Sequence, residues 1–195
     1  MTGKKGQGRL SENQDVAFHE AGHAVAAVEL GVRFRDVSIV ADESEGSAGH
    51  MFSVLPLPFS GDLEADVEER GEEKVRRRYE RHLIVSLAGE AAQRIAANQL
   101  TGNPERYRGC DNDRNAVYDV AVAIFENNEV AEAYVAFLYR RAVSIMRSPA
   151  GWCGVAAVAA ALQDKKMLSS AQVRSICREA VMRAIKEDSR PPEKS

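Results

Sequence analysis

The chain has 195 residues, 45% of them apolar, and a formal net charge of -3 at neutral pH. That length suffices for one good hydrophobic core, and the mild negative charge provides no global attraction to nucleic acid or to an anionic membrane. The apolar stretch WCGVAAVAAAL, residues 152 to 162, falls short of the roughly 18 residues that a membrane span needs, so no membrane segment is expected.

Residues 1 to 12 and 189 to 195 are polar and contain Gly or Pro, so flexible ends are expected around one domain over 13 to 188. Ser11 or Asn13 can cap a helix that runs to about Leu30, where Gly31 stops it. RDVSIVA and GHMFSVL flank the turn-rich DESEGSAG and read as two strands of a small sheet, the second ended by Pro56 and Pro58. The apolar period then becomes helical. EEKVRRRYERHLIVSLAGEAAQRIAANQL reads as one long helix, straight or kinked, that stops before Thr101, Gly102 and Pro104.

Further helices are expected at about 112 to 127, 130 to 147, 151 to 164 and 169 to 187. SSAQ, from Ser169 to Gln172, has the form of a capping box for the last of them. The fold class is therefore mainly α (α+β), a multi-helix domain with a small β-sheet between the first helix and the second long helix. The acidic GDLEADVEERGEE precedes the basic KVRRRYERH, but Glu72 with Arg76 and Glu73 with Arg77 fall at i,i+4 spacing. A solvated helix face explains them better than a binding patch. Cys110, Cys153 and Cys177 form no CxxC pair, which suits a reducing compartment and a soluble, cytoplasmic protein.

Chemistry concentrates in VAFHEAGHAVAAVELG, Val16 to Gly31. His19 and His23 are four apart, so on a helix both imidazoles share one face and can converge on one ion. Catalytic zinc typically takes three protein groups and leaves a fourth position for water. Glu20 is placed to reach that water as a base without being a ligand. Two histidines hydrogen-bonded in a core would be the plain alternative, but ligand spacing together with the glutamate outweighs it. Gly22 inside this helix costs about 0.8 to 1 kcal/mol against alanine, so close packing against its turn is expected.

The metzincin pattern is excluded, because Ala26 and Glu29 stand where its glycine and third histidine belong, and Glu29 points to another face. His50 and His82 lack a paired partner and read as surface or packing residues. A carboxylate at the start of the helix near 112 can supply a third ligand. Spacing does not choose among Asp111, Asp113 and the soft donor Cys110, although Asp111 is read as a partner of the helix dipole.

AFHEAGHAVAA resembles the zinc-binding helix in the protease domain of FtsH, the membrane-bound AAA-plus protease. RDVSIVADESEGSAGHMFSVLP is similar to that family's strand, glycine-containing turn and strand ending in Leu-Pro. LIVSLAGEAAQRI resembles its Leu-Gly-Gly-Arg-Ala-Ala-Glu-Glu helix, CDNDRNAVYDVA its Asn-Asp-Leu segment, and VAAVAAALQDKKMLSSAQVRSI its C-terminal helix pair. The resemblance spans about residues 13 to 188. It implies a Zn2+ centre of His19, His23 and Asp113 with Glu20 as the catalytic base.

Two departures stand out. Ala88-Gly89-Glu90 replaces Gly-Gly-Arg, and Gln93-Arg94 replaces the paired glutamates. Glu90 is read as an exposed helix carboxylate, with support of a zinc ligand as the other reading. The chain also has no G-x-x-x-x-G-K-[ST] phosphate loop, so substrates are expected to be extended polypeptides, or chains opened by a separate AAA-plus ATPase.

The expected function is thus a zinc-dependent metallopeptidase that holds substrate by strand addition along Gly49, His50, Met51, Phe52 and Ser53. The alternative is a non-catalytic metal-binding module that binds a separate ATPase or a substrate protein. Since FtsH protease domains form hexameric rings, a homo-oligomer is a third expectation from the resemblance.

Overall fold

Ser11 opens α1 (Glu12–Leu30) with a capping box: its hydroxyl accepts from the Gln14 amide at 3.4 Å while Gln14 Oε1 accepts from the Ser11 amide at 3.0 Å. Of the two caps offered by the sequence, Ser11 is the one used. Gly31 ends the helix in the left-handed region (φ 68°), its amide returning to the Ala27 and Val28 carbonyls. The computed structural model of the chain describes residues 10–40, 50–53, 72–97 and 111–188. Of the expected flexible ends, 1 to 12 and 189 to 195, Ser11 and Glu12 instead form the start of α1, while residues 1 to 9 and 189 to 195, the turn DESEGSAG, the expected strand ends at Gly49, Val54 and Leu55, and the breakers Pro56, Pro58, Thr101, Gly102 and Pro104 lie outside the described residues.

The fold is mainly α with a small antiparallel sheet, as expected. After α1 come β1 (Phe34–Ser38) and β2 (His50–Ser53), then α2 (Glu72–Ala96), which runs unbroken. α3 (Asp111–Phe125), α4 (Asn128–Arg147) and α5 (Pro149–Lys165) follow, then β3 (Met167–Ser169) and α6 (Ser170–Asp188). The Ser169–Gln172 capping box forms, with amide contacts of 2.8 and 3.3 Å.

The sheet differs from expectation. It has three strands in the order β2-β1-β3, so Val37 of β1 stands opposite both Met51 and Leu168. β3 escapes sequence reading because three residues with one buried side chain, Leu168, cannot display a period of two. β2 lies at an edge, and its outer side carries no strand among the described residues.

α1 runs through the core between α2 and α5. Ala17, Ala21, Ala24, Ala26 and Ala27 are all fully buried. Gly22 allows the close approach: a methyl there would collide with the Ala88 carbonyl oxygen and come within 2.7 Å of Ala92 Cβ. The cost of a mid-helix glycine thus has the packing cause that the sequence implied. Phe18 of α1 stacks on Trp152 of α5, with centroids 6.0 Å apart and planes 4° from parallel.

Among the described residues no single helix is long and apolar enough to cross a membrane. α4 and α5 reach that length and composition only as a pair bent by 79°, and each buries its apolar face in the core. Cys153 and Cys177 are free thiols, and Cys110 lies outside the described residues.

The Glu73–Arg77 pair forms at 2.6 Å on an exposed face, as the spacing implied. Nearby, Arg33, Lys74, Arg77, Arg78 and Arg81 wall a cavity of about 380 Å³ that His82 also lines.

Candidate metal centre

Every side chain of the centre is fixed by a helix. α1 presents His19 and His23 one turn apart toward α2, and His23 is 7% exposed. His23 Nδ1 donates to the Val85 carbonyl at 2.7 Å, and His19 Nδ1 donates to Gln93 Oε1 at 3.3 Å. With both Nδ1 atoms acting as donors, the neutral rings carry lone pairs on Nε2. These two Nε2 atoms stand 2.9 Å apart. Asp113 Oδ2, from the first turn of α3, lies 3.1 Å from His19 Nε2 and 3.3 Å from His23 Nε2.

Three electron-pair donors therefore meet at one point, which is unfavourable unless a cation lies among them. Ligands at 2.0 to 2.1 Å around a tetrahedral zinc would be separated by about 3.3 Å. The observed 2.9, 3.1 and 3.3 Å come within a few tenths of that. The donor set, two imidazoles and a carboxylate, suits zinc and also accepts iron, cobalt or nickel.

Burial opposes charge on His23, but the hydrogen bond and charge of Asp113, the charge of Glu20 and the Val85 carbonyl outweigh it and raise the pKa to about 9. Asp113 is pushed up by burial, yet its contacts with His19 and His23 hold it well below the usual carboxylate range.

Glu20 is 5% exposed and is not part of the three-residue donor group. It directly follows His19 in α1, and its charge is felt at His23.

Gly89 of α2 forms the floor of the centre. A methyl there would collide with His23 Nε2 and lie 2.7 Å from His23 Cε1 and 2.9 Å from His19 Cε1. In the sequence Gly89 stands out only as part of a variant motif, although a glycine inside a helix is the same signal that singles out Gly22. Gln93, which the sequence marks as a departure from the family's paired glutamates, orients His19, whereas the Val85 carbonyl that orients His23 has no counterpart in the sequence reading. A backbone acceptor leaves no mark in the sequence.

Glu90 contradicts the expectation of an exposed carboxylate. It is 3% exposed, with Oε1 2.8 Å from Arg94 Nη2 and 3.5 Å from Arg114 Nη1. The reason is that α2 is buried on all sides from Leu87 to Arg94, so its faces cannot be assigned by polarity. His82 is buried at 7% exposure and serves packing.

Of the three possible third donors, the structure brings Asp113 to the imidazoles. Cys110 and the side chain of Asp111 lie outside the described residues. Glu29 is exposed on another face of α1, as expected. Of the five residues expected to hold substrate, His50, Met51, Phe52 and Ser53 form β2, with side chains outside the described residues, and Gly49 lies wholly outside them. No protein-family model matches the chain, and no curated protein sequence matches it.

Proposed function

We propose that the protein is a zinc-dependent metallopeptidase that hydrolyses peptide bonds in extended polypeptides. The observation that carries this reading is the meeting of His19 and His23 with Asp113, 94 residues from His19 in the chain, on the helix in which Glu20 follows His19. Zinc held there would supply Lewis acidity toward a scissile carbonyl and acidify water. His19, His23 and Asp113 would hold and orient the ion, while Gln93 and the Val85 carbonyl hold the rings in the tautomer that leaves Nε2 free to ligate. Glu20 takes a proton from water as its oxygen adds to the carbonyl carbon. It then delivers that proton to the amine nitrogen as the C–N bond breaks.

Substrate is held along β2, whose outer edge can accept an extended chain through backbone hydrogen bonds. Such binding tolerates many sequences, so specificity is broad. A separate AAA-plus ATPase would extend the range to folded substrates, and self-association follows the FtsH resemblance.

The two departures from the FtsH-like helix also support kinship with that family, because they compensate each other. The family motif places an arginine four residues before its second glutamate. Here Glu90 and Arg94 occupy those positions with charges exchanged and pair at 2.8 Å. Gln93, by contrast, favours a second reading, a metal-binding module without catalysis. A neutral amide supports His19 less strongly than the family's glutamate would.

Cleavage of an unfolded polypeptide by zinc-loaded wild type and by Glu20→Gln separates the two readings. The peptidase reading predicts loss of cleavage in the variant with zinc binding retained. Equal rates from the two loaded proteins would favour the module.

A further inference from the structure

Glu90 occupies a position where charge is costly. It is 3% exposed, adjacent to the glycine that lies beneath both imidazoles, and is held between two guanidinium groups. Desolvating such a group is unfavourable, and an apolar pair at positions 90 and 94 would serve stability alone as well or better. The value of the arrangement lies in what it connects.

Arg94 is one turn along α2 and 4% exposed. Arg114 belongs to α3 and directly follows Asp113; its guanidinium also lies 5.3 Å from the centroid of the Tyr139 ring on α4. Glu90 thus ties α2 to α3 beside the metal ligand. Asp113 stands in the first turn of α3, so a shift of that turn moves its carboxylate relative to two rings fixed on α1.

We propose that Glu90, oriented by Arg94, is a positioning residue that acts through Arg114 to set Asp113 at ligand distance from His19 and His23. This rests on the metal-centre reading above. The ion pair within α2 holds the carboxylate in place, and the pair between helices transmits that placement. Metal affinity therefore depends on both, whereas fold stability depends mainly on the first.

Zinc dissociation constants, measured by competition with a chromophoric chelator, and melting temperatures in excess EDTA test this on the full chain. The series is wild type, Glu90→Gln, Arg114→Met, the exchange Glu90→Arg/Arg94→Glu, and the exchange with Arg114→Glu added. Loss of a group that orients a ligand typically weakens binding about 10- to 100-fold. That range is expected for Glu90→Gln and Arg114→Met.

The exchange restores the pair within α2 with its charges reversed, so the melting temperature returns toward wild type. It also sets like charges against each other between α2 and α3, so zinc binding stays weak. Adding Arg114→Glu restores attraction between the helices and recovers affinity. Should Glu90→Gln fail to fold, Arg114→Met and the exchanged variants still decide the matter.

Wild-type affinity in folded Arg114→Met, or full affinity in the exchange without the Arg114 change, would overturn the positioning role while leaving the metal centre intact. Failure of wild type to bind zinc would instead remove the centre, and the proposal with it.

Discussion

His19 Nε2 and His23 Nε2 face each other at 2.9 Å while each ring's Nδ1 is engaged elsewhere, with Gln93 and with the Val85 carbonyl. Two neutral imidazoles repel in that arrangement, and the Asp113 carboxylate beside them adds a third lone pair. A cation or a proton resolves the conflict. The two compete, because metal ligation needs deprotonated rings.

Gly22→Ala and Gly89→Ala should fail in different ways. At Gly22 the new methyl meets the backbone of Ala88 and the side chain of Ala92, so α1 and α2 must separate. A loss of about 1 to 3 kcal/mol in stability is expected, read by urea denaturation. At Gly89 the methyl meets both metal-binding rings. Metal affinity should fall steeply, while the metal-free protein loses less stability than Gly22→Ala, because the methyl at Gly89 meets side-chain rings that can turn aside and the one at Gly22 meets backbone that cannot.

Gln93 should tune the centre in both directions. Gln93→Leu removes the acceptor for His19 Nδ1–H and is expected to weaken zinc binding about 10- to 100-fold. Gln93→Glu substitutes a charged acceptor, so zinc should bind more tightly than to wild type. Chelator competition measures both.

His82 gives a pH dependence outside the metal centre. Burial and then the charge of Arg78 lower its pKa below the ordinary value of about 6.5. The unfolded chain therefore binds a proton more readily than the folded one, and stability falls as pH drops below about 6.5 toward the folded-state value. Urea denaturation in EDTA between pH 7 and 5 should show a smaller fall for His82→Gln than for wild type. Parallel curves would assign the slope to other groups.

Local features were legible because they depend on neighbours in sequence. Ser11 and Gly31 bound α1, Ser169 and Gln172 cap α6, and Gly22 marks a close contact. The pair His19 and His23 with Glu20 is of the same kind. Asp113 is not: 94 residues separate it from His19, no spacing rule spans them, and only the FtsH resemblance chose it over Asp111 and Cys110.

Glu90 was misplaced because polarity identifies a surface face only when a helix has one, and the middle of α2 is covered all round. β3 was missed for a related reason. A strand of three residues acquires its identity from β1, far away in the chain, rather than from its own pattern.

Zinc should also raise thermal stability in wild type. A ligand at a hundred times its dissociation constant stabilises the folded state by about 2.7 kcal/mol. Differential scanning fluorimetry with and without zinc should show that increase in wild type and lose it in His19→Ala, which removes one donor of the centre.

Equilibrium dialysis against zinc, followed by elemental analysis of wild type and Asp113→Ala, tests the three-residue centre most directly. One zinc per chain in wild type and strongly reduced occupancy in the variant is the predicted result. No zinc in wild type, or equal occupancy in both proteins, would contradict it.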